Sequence, residues 1–118
     1  MITRADVDAI CGALPGATLA LPPELISWKV GGKMFACIAG GESPGDGVSV
    51  KCADTDIAAM LIDAGEAVRA PYFHKSWVRL PFEATDHGTA QHRITVSYDI
   101  IRKSLKKAER DALPARTE

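Results

Sequence analysis

Along the chain the apolar positions change period several times, and each change marks an element. Val7, Ile10, Cys11 and Leu14 fall at i, i+3, i+4 and i+7, the single stripe of an amphipathic helix. Thr3 ahead of it, with Asp6 three residues on, has the form of a capping box, and Pro15-Gly16 ends it. The period then falls to two. Ile26, Trp28 and Val30 alternate with Ser27 and Lys29, as in a half-buried strand. Gly31-Gly32 is a two-residue hairpin signal. The return strand, KMFACIA at 33–39, is apolar on both parities and reads as central. The turn residues GGESPGDG at 40–47 are few enough to join it to an adjacent strand, where Val48, Val50 and Cys52 alternate with Ser49 and Lys51.

Asp54 then caps a second helix, with Ile57, Met60, Leu61 and Ala64 as its apolar face and Gly65 at the C′ position. A short strand is expected within 67–72, placed at an edge or ended by Pro71. A stronger one follows over 76–82, with Val78, Leu80 and Phe82 facing one way and Trp77 and Arg79 the other. Ile94, Tyr98, Ile101, Leu105, Ala108 and Ala112 step by four and three, which predicts one long helix from Asp86 or Thr89 to Arg110. Its opposite face carries Arg102, Lys103, Lys106, Lys107 and Arg110, and the tail PARTE is expected to fray. The order α-β-β-β-α-β-β-α predicts an α+β fold. Its antiparallel sheet is covered on one face by the N- and C-terminal helices, and the other face is left relatively open to solvent.

Composition narrows the function classes. At 118 residues the chain reads as one domain, 1–118, able to build a core without staples. A net charge of −1 gives no global attraction to nucleic acid or anionic membrane, so an electrostatic partner must meet a local patch. Cys11, Cys37 and Cys52 form no C-x-x-C pair and read as buried thiols of a reducing compartment. No apolar run has the length of a signal peptide or a membrane span, so the expected location is the cytoplasm.

An ordered set of motifs resembles the MmcQ/YjbR family of small bacterial proteins. They are LPG at 14–16, WKVGGKMFACI at 28–38, VSVKC at 48–52, PYFHKSWV at 71–78 and SYDII at 97–101. The resemblance covers nearly the whole length. It implies a CyaY-like (frataxin-like) fold and an assignment as DNA-binding proteins. Many members carry a longer 71–77 segment with Asn before the Lys; here the segment is compact.

The segment 68–82, VRAPYFHKSWVRLPF, gathers three cations, four aromatics and a histidine. Strand parity sorts them. If Val30, Val50 and Leu80 face the helices, then Lys29, Lys51, Trp77 and Arg79 face the other way, with Lys33 and Lys75 at strand edges. Cations interleaved with an aromatic can hold phosphates while the ring stacks on a base. The plainer explanation is that Lys and Arg keep a sheet face soluble and discourage edge pairing. The function expected is a non-enzymatic binding module for DNA on this face. The alternative is a protein-interaction or small-ligand module on the same face, anchored by Trp77. Iron binding, by analogy with frataxin-like folds, ranks third: its carboxylates would be Asp6, Asp8 and Glu24, which form no convincing cluster. His74, His87 and His92 lack helical ligand spacing, and neither metal nor cofactor is expected. The glycines at 40–47 lack the Lys-Ser/Thr ending of a phosphate loop, no G-x-S-x-G occurs, and no enzymatic activity is expected.

Overall fold

The computed structural model describes residues 1–39, 47–71 and 73–114. The turn expected over 40–47 lies outside them except for Gly47, as do Tyr72 and the tail from 115 on. The elements run α1 (Arg4–Gly12), β1 (Thr18–Ala20), β2 (Ser27–Val30), β3 (Lys33–Ala39), β4 (Gly47–Lys51), α2 (Thr55–Asp63), β5 (Val68–Arg69) and β6 (Trp77–Pro81). A 3₁₀ turn (Phe82–Ala84), α3 (His87–Ser104) and α4 (Lys107–Asp111) complete the chain. The strands form one antiparallel sheet in the order β1-β2-β3-β4-β6-β5. The α+β arrangement with helices at both ends therefore holds.

Local chemistry explains the boundaries. The Thr3–Asp6 capping box forms, with Asp6 N–H donating to Thr3 Oγ1 and Thr3 N–H to the Asp6 carboxylate. Asp54 accepts from the Ile57 N–H at the start of α2, and Asp86 accepts from the Thr89 N–H at the start of α3. Gly31 and Gly32, at φ 56° and 78°, make the left-handed hairpin turn that L side chains disfavour.

Four expectations change. β1 carries no alternation of its own and is held by its pairing with β2. Phe82 leaves the strand for the 3₁₀ turn. On α2 the buried residues are Ala58 and Leu61, while Met60 is 59% exposed. The long terminal helix breaks at Leu105, whose backbone is extended at φ −69°, ψ 154°. There Ser104 Oγ donates back to the Ile101 carbonyl, and Leu105 turns inward against Gly31. The cations read as one helix face are thus divided between α3 and α4.

The core lies between the sheet and α1, α2 and α3. Val30, Ala36, Val48, Val50, Val78 and Leu80 face it from the strands, all buried. Trp28 joins them by packing on Gly12 and donating its Nε1–H to Asp8 at 2.8 Å. The apolar parities of β3 have a structural cause. The register between β2 and β3 steps from Trp28↔Ala36 to Lys29↔Met34, which leaves Phe35 unopposed in a bulge. Phe35 is fully buried and meets Tyr98 of α3 edge-to-face, with centroids 5.3 Å apart.

Ser97 of α3 repairs the backbone at that bulge. Its hydroxyl donates to the Phe35 carbonyl at 2.6 Å and accepts from the Lys51 N–H at 2.9 Å. One buried side chain thus satisfies a β3 acceptor and a β4 donor just past the Ala36–Val50 end of the β3–β4 pairing. Tyr98, a member of the apolar stripe, makes two hydrogen bonds through its hydroxyl: it donates to the Pro15 carbonyl and accepts from Arg102.

Candidate nucleic-acid interface

The register sets the second face of the sheet in two rows. Lys29 pairs with Thr18 and Met34, and Lys51 with Trp77, so these residues line one end of the face. One step along lie Ala20, Ser27, Cys37, Ser49, Arg79 and Val68, each paired with the next. The strand spacing of about 4.8 Å puts Lys29 and Trp77 roughly 14 Å apart, with the two rows about 7 Å from one another. Lys29, Lys51, Trp77 and Arg79 therefore share a face. Lys33 does not join them: it pairs with Val30 beside the hairpin turn, exposed and on the opposite parity. Lys75 is exposed in the turn before β6.

This face is not uniformly open, which corrects the parity reading. Ser27, Cys37, Ser49 and Arg79 are 1%, 5%, 1% and 9% exposed. A polar side chain marks a strand position as outward only on average; three of these four are small enough to sink into the surface. Lys29, Lys51 and Trp77 remain half-buried and reachable. Lys29 is also partly answered, because its Nζ lies 2.7 Å from Glu24 in a surface ion pair.

Around Trp77 the site has more structure than the sequence shows. Lys51 Nζ donates to Ser76 Oγ at 2.6 Å, and Ser76 Oγ contacts His74 Nδ1 at 2.9 Å. The Ser76 N–H also donates to His74 Nδ1. That nitrogen must therefore accept, so the hydroxyl donates to it. A Lys–Ser–His chain suggests a nucleophile, but Ser76 is only 3% exposed and its hydroxyl is committed on both sides. Its effect is to fix Lys51 beside Trp77 while leaving two ammonium N–H donors. Phe73 backs the Trp77 ring, with centroids 4.8 Å apart and planes tilted by 31°.

Beside this pair is a cleft of about 490 Å³, lined among others by Ile62 of α2, Arg69, Phe73, His74, Lys75 and Trp77. A second cleft, of about 380 Å³, lies between Leu61 of α2 and His92 and Arg93 of α3.

The cysteines are free and buried. Burial, with Asp8 adding to it, pushes the Cys11 thiol up to about 12. Burial also raises Cys37, with Arg79 pulling the other way, and Cys52, with Arg93 opposing. These thiols are held protonated, not activated. Among the described residues no group of three or more His, Cys, Asp or Glu side chains could hold a metal ion. The acids weighed for iron are engaged elsewhere: Asp6 caps α1, Asp8 holds Trp28, and Glu24 pairs with Lys29. No described helix is long and apolar enough to cross a membrane.

Sequence reasoning passed over Ser97, Ser76 and Phe73. A signal for Ser97 existed: it sits at i+3 from Ile94 in the stripe that buries Tyr98 and Ile101.

The architecture is that of a small α+β domain whose sheet is covered by helices on one face and, among the described residues, by none on the other. The YjbR family model matches residues 12–100, and the chain belongs to that family. It is similar over its full length to a crystal structure of Deinococcus radiodurans protein DR2400, described with the family-model domain DUF419. The TM-score is 0.83, the identity 24%, and 94% of that chain is covered. A likeness at this identity shows a shared fold. No curated protein matches the chain.

Proposed function

We propose that this domain is a non-enzymatic binding module whose second sheet face takes a nucleic-acid strand, with DNA as the expected form. The observation that carries the reading is the row Lys29–Lys51–Trp77. It combines an aromatic ring on β6 with ammonium groups on the adjacent β4 and on β2, the pairing that stacks a base while holding the flanking phosphates. Arg69 and Lys75 add cations along the cleft, which Asp56 of α2 also lines. A half-buried ring on a flat face suits the splayed bases of a single strand better than a groove of a duplex, which asks for a protruding element.

The test is binding of a thymidine 12-mer and of a duplex across 50–200 mM salt. Three phosphate contacts to a single strand give a slope near −2 in log affinity against log salt, about −0.7 per contact. Trp77→Ala is expected to weaken the single strand by about 2 kcal/mol, roughly thirtyfold, and Lys51→Glu to flatten the slope. No binding at 50 mM, or affinity indifferent to both variants, would sink the reading.

The 490 Å³ cleft favours a second reading, a peptide or small ligand anchored between Trp77 and Ile62. That reading requires Trp77→Ala to abolish binding with no salt dependence in the wild type.

A further inference from the structure

Arg79 lies in the sunken row of the second face, and none of the ion pairs found among the described residues answers its charge. It is 9% exposed, and its Nε is buried with no hydrogen-bond partner. Those ion pairs, Arg4–Asp8 and Lys29–Glu24, do not involve it. A guanidinium nitrogen stripped of water without a partner is costly, and buried charges are ordinarily paired.

The arginine is also positioned. A Cβ at Gly47 would stand 2.8 Å from Arg79 Cγ and 2.9 Å from the Leu80 carbonyl oxygen. The stem can lie against β4 only because residue 47 is glycine. The arginine's charge is felt at the Cys37 thiol of β3. Its row neighbours Ser27, Cys37 and Ser49 are short and uncharged. The guanidinium is therefore the group in this row able to meet an anion, and it offers five donors in a planar fork.

We infer that Arg79 is the seat of a small oxyanion of the phosphate class on the second face of the sheet. The fork matches two phosphate oxygens at once, and Lys51, one row away, can share the charge. The seat does not require the strand reading to hold. A free phosphate or phosphomonoester would occupy it as well as the phosphodiester of a strand.

The test is thermal unfolding at fixed ionic strength, with chloride replaced stepwise by inorganic phosphate. It uses the wild type, Arg79→Lys and Arg79→Met. A ligand bound only by the folded state raises Tm with concentration, by roughly 10 °C at a hundredfold excess over Kd for a domain of this size. That rise is expected in the wild type, reduced in Arg79→Lys and reduced in Arg79→Met to the general effect of an excluded salt. Without phosphate, Arg79→Met is expected to melt at or above the wild type, because it removes an unanswered charge while keeping the stem. An Arg79→Met protein that melts lower or does not fold would overturn the inference: a carboxylate of the chain would then be the partner. Equal phosphate effects in all three proteins would overturn it too. Binding of the thymidine 12-mer identifies the source. A tenfold loss in Arg79→Met assigns the seat to a strand phosphate. Unchanged strand binding, with the phosphate response still dependent on Arg79, assigns it to a free phosphate or phosphomonoester.

Discussion

The two faces of the sheet are built from the same strands and hold together for different reasons. On the helix side, Val30, Val48, Val50, Val78 and Leu80 are closed over by α1, α2 and α3. Their contribution is apolar area removed from water, insensitive to detail so long as volume and pattern are kept. On the other side the buried positions are Ser27, Cys37, Ser49 and Arg79. Little apolar area is gained there, and what matters is whether each polar group finds a partner. One face is a core; the other is a surface whose middle row has sunk. A site belongs on the second, where charge and an aromatic ring remain reachable.

The comparison breaks most easily at β3, which contributes to both faces. Phe35→Ala on the helix side is expected to cost about 4 kcal/mol, the loss of a fully buried ring and the cavity left against Tyr98. Cys37→Ala on the second face, two residues on, is expected to cost about 1 kcal/mol. Urea denaturation of the two variants measures both. Similar losses would mean that the second face is a core in its own right.

The difference between the faces also explains what was legible in the sequence. The helix face was readable because period two and period 3.6 report which side of an element is dry. The caps Thr3, Asp54 and Asp86 and the hairpin at Gly31-Gly32 were readable because each demands a particular residue type. The second face was read only by parity. Parity placed Lys29, Lys51, Trp77 and Arg79 together but could not show that Arg79 is buried or that Lys29 is paired with Glu24. Burial of a polar residue depends on neighbours brought by register, and nothing local encodes it. The same holds for the Lys51–Ser76–His74 chain, whose members are 25 and 2 residues apart. The break at Leu105 escaped for a related reason: its position in the stripe was right, and only the turn that brings it against Gly31 was unpredicted.

Ser97 sharpens the comparison from the helix side, as a polar group inside the apolar face. Ser97→Ala leaves the Phe35 carbonyl and the Lys51 N–H without their shared partner at the bulge. The expected cost is about 2 kcal/mol, the price of unsatisfied buried groups. Ser104→Ala, which removes an exposed residue's bond to the Ile101 carbonyl, is expected to stay within about 0.5 kcal/mol. If the two serines behave alike in urea denaturation, the bulge is hydrated and the helix face is not sealed there.

The smallest effect expected is at Asp86, which starts the helix that closes the core and has no counterpart on the second face. Thr89 donates to its carboxylate from both its backbone N–H, at 2.7 Å, and its hydroxyl, at 3.2 Å. These bonds hold the Asp86 pKa below its ordinary 3.8. A carboxylate whose folded pKa is depressed adds stability above its unfolded pKa. That contribution fades as pH falls below about 3.8 through the lower folded value. Asp86→Asn keeps a side chain able to cap but removes the titration. The Tm advantage of the wild type over Asp86→Asn is therefore expected to be constant from pH 7 to 5 and to shrink between pH 4 and 2. A difference that stays flat to pH 2 would show that charge at this cap does not matter. The closure of the helix face would then owe nothing to ionisation, which would confine the consequences of charge to the face with Lys51 and Arg79.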